Sequence, residues 1–137
     1  MSAKAMLAVR DPACAERLSR ILSSSGVETR SCSTVSEAIR ALATDPLDIV
    51  FCQGRLPDGT FREVLRFADS HGGVPLVVCT DFYDKKGYLE SMSLGAFDYI
   101  AYPFSSGDVG WIVSNALRKA SHVPRREALR HHQPTAL

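Results

Sequence analysis

D-I-V-F-C-Q-G-R-L-P-D-G, residues Asp48 to Gly59, is the stretch on which the reading of the fold turns. Ile49-Val50-Phe51-Cys52 is a short, continuous apolar run of β-branched and aromatic types, the pattern of a central parallel strand buried on both faces. Leu56-Pro57-Asp58-Gly59 carries Pro and Gly where tight turns favour them, and local capping is the expected role of Asp58. Gln53 stands between the two, at the carboxyl end of that strand. Open parallel sheets place their ligand-binding and catalytic groups there. The residue in that place is a neutral amide.

Outward from this stretch the chain repeats one theme. Leu76-Val77-Val78-Cys79 predicts a second deeply buried strand within Pro75 to Thr80, and Met6 to Val9 a third. Val27 to Ser33 alternates and predicts a half-exposed strand near an edge, while Phe97 to Ala101 is a short fifth strand. Helices fall between them. Asp11-Pro12 supplies an N-cap and a first helical residue, with Leu18, Ile21 and Leu22 inward and Ser23 to Gly26 closing the helix. Thr34-Val35-Ser36-Glu37 reads as a capping box for a helix to about Ala43, with Ala38, Ile39 and Leu42 inward. Phe61, Val64, Leu65 and Ala68 stripe a helix over Thr60 to Ser70. A weaker helix, with Gly87 inside it, covers Asp84 to Leu94. The last starts at Ser106 and buries Val109, Ile112, Val113, Ala116 and Leu117. Strands alternating with helices predict an α/β fold, a doubly wound parallel sheet with helices on both faces.

At 137 residues, 45% hydrophobic and 23% charged, the chain has the length and composition of one ordinary globular domain. Apolar runs are only of strand length and no secretory leader precedes the first strand, which points to the cytoplasm. Cys14, Cys32, Cys52 and Cys79 have no metal-binding or disulfide spacing and read as small apolar residues. Residues 1–116 carry 11 Lys and Arg against 14 Asp and Glu, while residues 117–137 carry five against one. Residues 1–120 are therefore expected to form the domain and 121–137 a flexible basic tail. Arg125, Arg126 and Arg130 are too few, and lack a recognition helix, for direct nucleic-acid binding.

Four spaced landmarks carry a resemblance. They are Met6 to Asp11, Leu56-Pro57-Asp58-Gly59, Leu76 to Thr80, and Gly95-Ala-Phe-Asp-Tyr-Ile-Ala-Tyr-Pro-Phe104. Together, over residues 4–120, the chain resembles the receiver domain of bacterial two-component response regulators. The resemblance implies a flavodoxin-like five-stranded sheet of order 2-1-3-4-5 flanked by five helices. It also implies transfer of a phosphoryl group from a histidine kinase to an aspartate, assisted by an acidic pair that holds Mg²⁺, a Thr or Ser, and a Lys.

Carried over position by position, that machinery is incomplete. The phosphoacceptor position falls on Gln53, whose amide is not a nucleophile. The acidic pair falls on Arg10 and Asp11, so a cation replaces one carboxylate. The lysine position falls on Tyr102. Thr80 is kept, as is the switch aromatic, Tyr99. The resemblance so read is to a pseudo-receiver with no catalytic residue, no metal and no cofactor. Arg10 is expected either to make a fixed polar contact with Asp11 or with the Gln53 amide oxygen, or to point into solvent. Asp81 either holds Arg10 or is solvated. Phe82 and Tyr83 are expected to cover the pocket or offer an interaction surface, the alternative being core packing of at least one of them. Tyr88, Tyr99, Phe104 and Trp111 mark a candidate interaction face for a histidine kinase, another response regulator or effector, or a second copy in a homodimer. The competing class is an enzyme that phosphorylates elsewhere, for instance through Asp11. A third is a regulatory domain detached from a DNA-binding or ATPase effector.

Overall fold

The computed structural model describes residues 3–122. Seven strands and five helices follow one another as β1 (Lys4–Ala8), α1 (Pro12–Ser24), β2 (Glu28–Cys32), α2 (Val35–Thr44), β3 (Ile49–Gln53), β4 (Arg55–Leu56), β5 (Gly59–Thr60), α3 (Phe61–Ser70), β6 (Leu76–Thr80), α4 (Lys85–Ser93), β7 (Asp98–Ala101) and α5 (Ser106–His122). Five strands form one sheet in the order β2-β1-β3-β6-β7, every pair parallel. Omitting the small β4-β5 hairpin, this is the expected 2-1-3-4-5 order. Strand β2 lies at one edge and β7 at the other, which is why neither contains a buried residue.

Side-chain alternation along the strands splits the apolar residues between two cores. Met6, Ala8, Val50, Cys52 and Val78 face α2 and α3, whose Phe61, Val64, Leu65 and Ala68 are the buried stripe expected of that helix. Ala5, Leu7, Ile49, Phe51, Val77 and Cys79 face α1 and α5. Phe51 and Leu7 are fully buried in the centre of the sheet. On α2 the inward set is Val35, Ala38, Ala41 and Leu42, with Ile39 half-buried at the edge of the stripe.

The helix starts differ from expectation in two places. Thr34 Oγ1 accepts from Glu37 N, but the Glu37 carboxylate reaches past the cap residue to Ser33 N at 2.9 Å. The complete reciprocal capping box is on α3, between Thr60 and Glu63. Asp58, at the tip of the β4-β5 hairpin, does not cap locally. Its carboxylate accepts from Val35 N at 2.7 Å and Ser36 N at 3.0 Å, the free donors at the start of α2. The hairpin is thereby tied to a helix more than twenty residues away in sequence.

Helix α5 continues to His122, two residues past the expected domain boundary. Residues 123–137 of the expected tail lie outside the described residues. Among the described residues no helix is long and apolar enough to cross a membrane.

Candidate functional site

The carboxyl ends of β1, β3 and β6 meet where Gln53 emerges from the sheet. Its Oε1 accepts the backbone N–H of Arg10 at 2.8 Å and that of Asp11 at 3.3 Å. An amide oxygen has two lone pairs, and both are engaged here. Gln53 and Arg10 therefore do meet, but through the Arg10 backbone. The Arg10 guanidinium is exposed and has no hydrogen bond or ion pair among the described residues, to Asp81 or to any other group. Asp11 is the N-cap of α1, its Oδ1 accepting from Ala13 N at 3.1 Å. One oxygen of the remaining acid is thus committed to the helix start.

Thr80 turns its hydroxyl into its own loop, donating to Phe82 O at 3.1 Å and accepting from Phe82 N at 3.4 Å. That turn leaves Phe82 82% and Tyr83 61% exposed, so neither ring is in the core and the alternative of core packing is excluded. Tyr102 packs edge-on against Phe104, with centroids 5.5 Å apart, and leans on the α1-α5 core. It brings no cation to the site.

The four residues of the expected interaction face are not one surface. Tyr99 packs against the α2-α3 core, while Phe104 sits on the other side of the sheet in the α1-α5 core and is 3% exposed. Arg17 of α1 fixes the segment by donating Nε and Nη2 to the Phe104 carbonyl at 3.1 and 3.0 Å. Phe104 is a core residue and leaves the face. Trp111 remains, 66% exposed on α5. Tyr88 and Tyr99 join Tyr83 in a three-ring cluster, with centroids 5.8 to 6.1 Å apart.

Helix α4 explains where Tyr99 sits. Its one fully buried residue is Ser91, and Gly87 lies a turn earlier on the same side. A Cβ at residue 87 would meet the Tyr99 hydroxyl at 2.9 Å. The two small residues let the helix lie over the ring, which holds Tyr99 beneath α4.

Between Gln53 and this tyrosine runs a cleft of about 800 Å³. Arg10, Arg55 and Arg62 line it together with Asp11, Asp81, Asp84 and Glu90, and Phe61, Val78 and Tyr99 form its apolar part. Arg62 pairs with Glu90 across the opening. Asp84 caps α4 through Gly87 N at 3.2 Å. Cys79 also reaches the cleft wall, but burial pushes its thiol well above the ordinary range. Burial, with Asp11 and Asp81 adding, pushes Cys14 up to about 12, so both stay uncharged and poorly nucleophilic. Among the described residues no group of three or more His, Cys, Asp or Glu is placed to hold a metal ion. Sequence reasoning missed the Arg55 and Arg62 contributions, because both lie on neighbouring elements whose packing brings them to the rim.

Comparison with known proteins agrees with this architecture. The model of the response regulator receiver domain family matches residues 7–112. The response regulator protein PilR of Pseudomonas aeruginosa is 29% identical over 116 residues, covering 84% of this chain and 26% of that protein. The regulatory protein LuxO of Vibrio vulnificus is 31% identical over 99 residues, covering 72% and 22%. The chain thus spans about a quarter of the length of these relatives. Among solved structures, a two-component response regulator from Clostridium difficile superposes with a TM-score of 0.79 at 20% identity, over 87% of this chain and 98% of that one. The receiver domain of the sensor histidine kinase PA1611 from Pseudomonas aeruginosa, solved with magnesium in its active-site cleft, gives 0.77 at 18% identity, over 86% of this chain and 99% of its own.

Proposed function

The chain belongs to the response regulator receiver domain family, and on that premise we propose that it serves signal transduction without accepting phosphate, by binding other proteins. The observation that carries this reading is the engagement of Gln53 Oε1 by two backbone N–H groups. A carboxylate there would be a nucleophile; this amide is a structural acceptor that closes the β1-α1 loop over the strand end.

Mg²⁺ does not fit the residues present. A hard divalent cation requires near-octahedral oxygen ligands. Arg10 contributes a positive charge, Gln53 has no free lone pair, and Asp11 has one oxygen in use as a helix cap. The enzyme alternative through Asp11 meets the same obstacle, since its carboxylate is held by Ala13 N and has no lysine beside it. With a half-buried tyrosine, Tyr102, packed against the α1-α5 core, nothing at that position neutralises a phosphoryl group.

The partner is a histidine kinase, another regulator or a second copy of the chain, and the contact region is built on Tyr88, Tyr99 and Trp111. The test is incubation with Mg²⁺ and acetyl phosphate, followed by intact mass and a Mg²⁺ titration of the amide spectrum. The expected result is an unchanged mass and no Mg²⁺-dependent shift at Asp11, Gln53 or Thr80. Gain of one phosphoryl group would overturn the reading.

A further inference from the structure

We propose that the α1-α5 side of the domain joins two copies of this chain, the exposed Trp111 of each seated in a hollow between α1 and α5 of the other. The inference rests on the reading that the protein acts by binding proteins without taking phosphate, and it names the partner for α5.

The hollow is the first observation. Its volume of about 430 Å³ is within the range that receives a small molecule. Leu22 and Val27 wall it from the α1-β2 side, and Val113 and Leu117 from α5. No charged side chain lines it among the described residues, so an uncharged apolar group enters without stripping water from an ion. Two glycines show the room. A Cβ placed on Gly26 or on Gly110 would meet nothing else within 4 Å. Gly110 sits in the interior of α5, where glycine is a poor helix former, and there it leaves the wall open.

Trp111 is the second observation. It is the only tryptophan in the sequence and is 66% exposed. Gly107 and Ser114, one turn before and after it, are small and exposed, which lets another surface close around the ring. Tryptophan seated in a desolvated pocket is among the residues that most often dominate an interface. Ring and hollow share one helix, since Gly110 and Val113 lie beside Trp111 in α5. This selects a second copy as the occupant. A surface that carries both a projection and a recess of matching chemistry is self-complementary, and a two-fold axis satisfies both contacts at once. Area sets the strength. Two indoles together bury about 300–500 Å², well short of the about 1,200 Å² of a stable interface. The dimer is therefore weak and reversible, with α5 and the end of α1 making up the remaining contact.

Because Trp111 is the sole tryptophan, its emission reports on its own burial. Sedimentation and tryptophan emission of the full chain, from about 1 µM to about 1 mM, test the proposal. The expected result is a monomer–dimer equilibrium whose emission maximum moves to the blue as dimer forms, with neither changed by acetyl phosphate. Trp111→Ala and Gly110→Leu should each raise the dissociation constant at least about tenfold. Gly110→Leu fills the hollow and keeps Trp111. Since nothing stands where its Cβ goes, its unfolding midpoint should equal or exceed that of wild type. A monomer throughout the range, a dimer whose emission stays red, or a dimer unaffected by Gly110→Leu would each overturn the proposal. A monomer with blue emission would do so too, because another part of the same chain then covers the ring. A dimer that appears only with a gain in mass after acetyl phosphate overturns this proposal and the phosphate-independent reading together. The other failures, at unchanged mass, overturn the dimer alone.

Discussion

The side-chain oxygen of Gln53 lies 2.8 Å from the backbone nitrogen of Arg10, a residue 43 positions earlier, and locks the end of β3 to the start of α1. On the proposed reading, the position at which the resemblance places the phosphoacceptor is part of the scaffold. Gln53→Ala leaves the Arg10 and Asp11 N–H groups without that acceptor. The expected cost is about 1–2 kcal/mol in a denaturant titration, since these groups are partly open to water. Gln53→Asp restores a carboxylate but neither the second acid nor the lysine, so its mass should remain unchanged after acetyl phosphate.

Gly87 and Tyr99 form the second coupled pair. In Gly87→Ala the added methyl meets the Tyr99 hydroxyl, which opposes a gain in helix propensity of about 1 kcal/mol. The single variant should be near neutral in stability, with the Tyr99 ring resonances displaced. In the Tyr99→Phe background the hydroxyl is gone, and Gly87→Ala should then stabilise by up to about 1 kcal/mol. A double-mutant cycle measures the difference. Additive effects would show that the ring is not held under α4 by this contact.

Asp58 gives a dependence on pH. Hydrogen bonds from Val35 N, first, and Ser36 N hold its carboxyl below the usual carboxylate range. A group depressed in the folded state contributes stability above its unfolded value, about pH 3.9, and loses it as the pH falls through the lower folded value. Asp58→Asn should therefore lower the unfolding midpoint at neutral pH and make the acid limb of the stability curve less steep. Urea titrations from pH 2 to pH 7 would check both.

Trp111 and Phe104 should separate cleanly. Phe104→Ala empties a site in the α1-α5 core and should cost about 3–5 kcal/mol. Trp111→Ala changes an exposed ring and should stay within about 0.5 kcal/mol of wild type in stability. If α5 carries the contact region, the same variant weakens self-association or partner capture, measured by sedimentation and by binding to a cognate histidine kinase.

The strands and helices were legible because their cause is local. Ile49 to Cys52 and Leu76 to Cys79 can only be buried on both faces, and Phe61, Val64, Leu65 and Ala68 recur at the spacing of one helix face. That residue 53 carries an amide and not a carboxylate was legible for the same reason, as a fact of covalent chemistry. The site's internal bonding was not. That Gln53 would accept from the Arg10 backbone depends on how far β1 and β3 each project beyond the sheet. Asp58 illustrates the limit as well, because nothing beside it in sequence shows that the nearest free helix donors belong to α2.

Residue types and their periodicity by themselves determined the parallel α/β architecture and that residues 53, 10 and 102 are Gln, Arg and Tyr, while the strand order came from the resemblance. Tertiary structure alone decided that Phe104 is core and Trp111 surface, that Tyr99 lies under Gly87, and that Arg10 and Arg55 line one cleft without acceptors among the described residues. The physical reason is range. Burial patterns and caps follow from neighbours within a turn or a strand, whereas hydrogen-bond partners and free charges follow from which elements the packed sheet brings together.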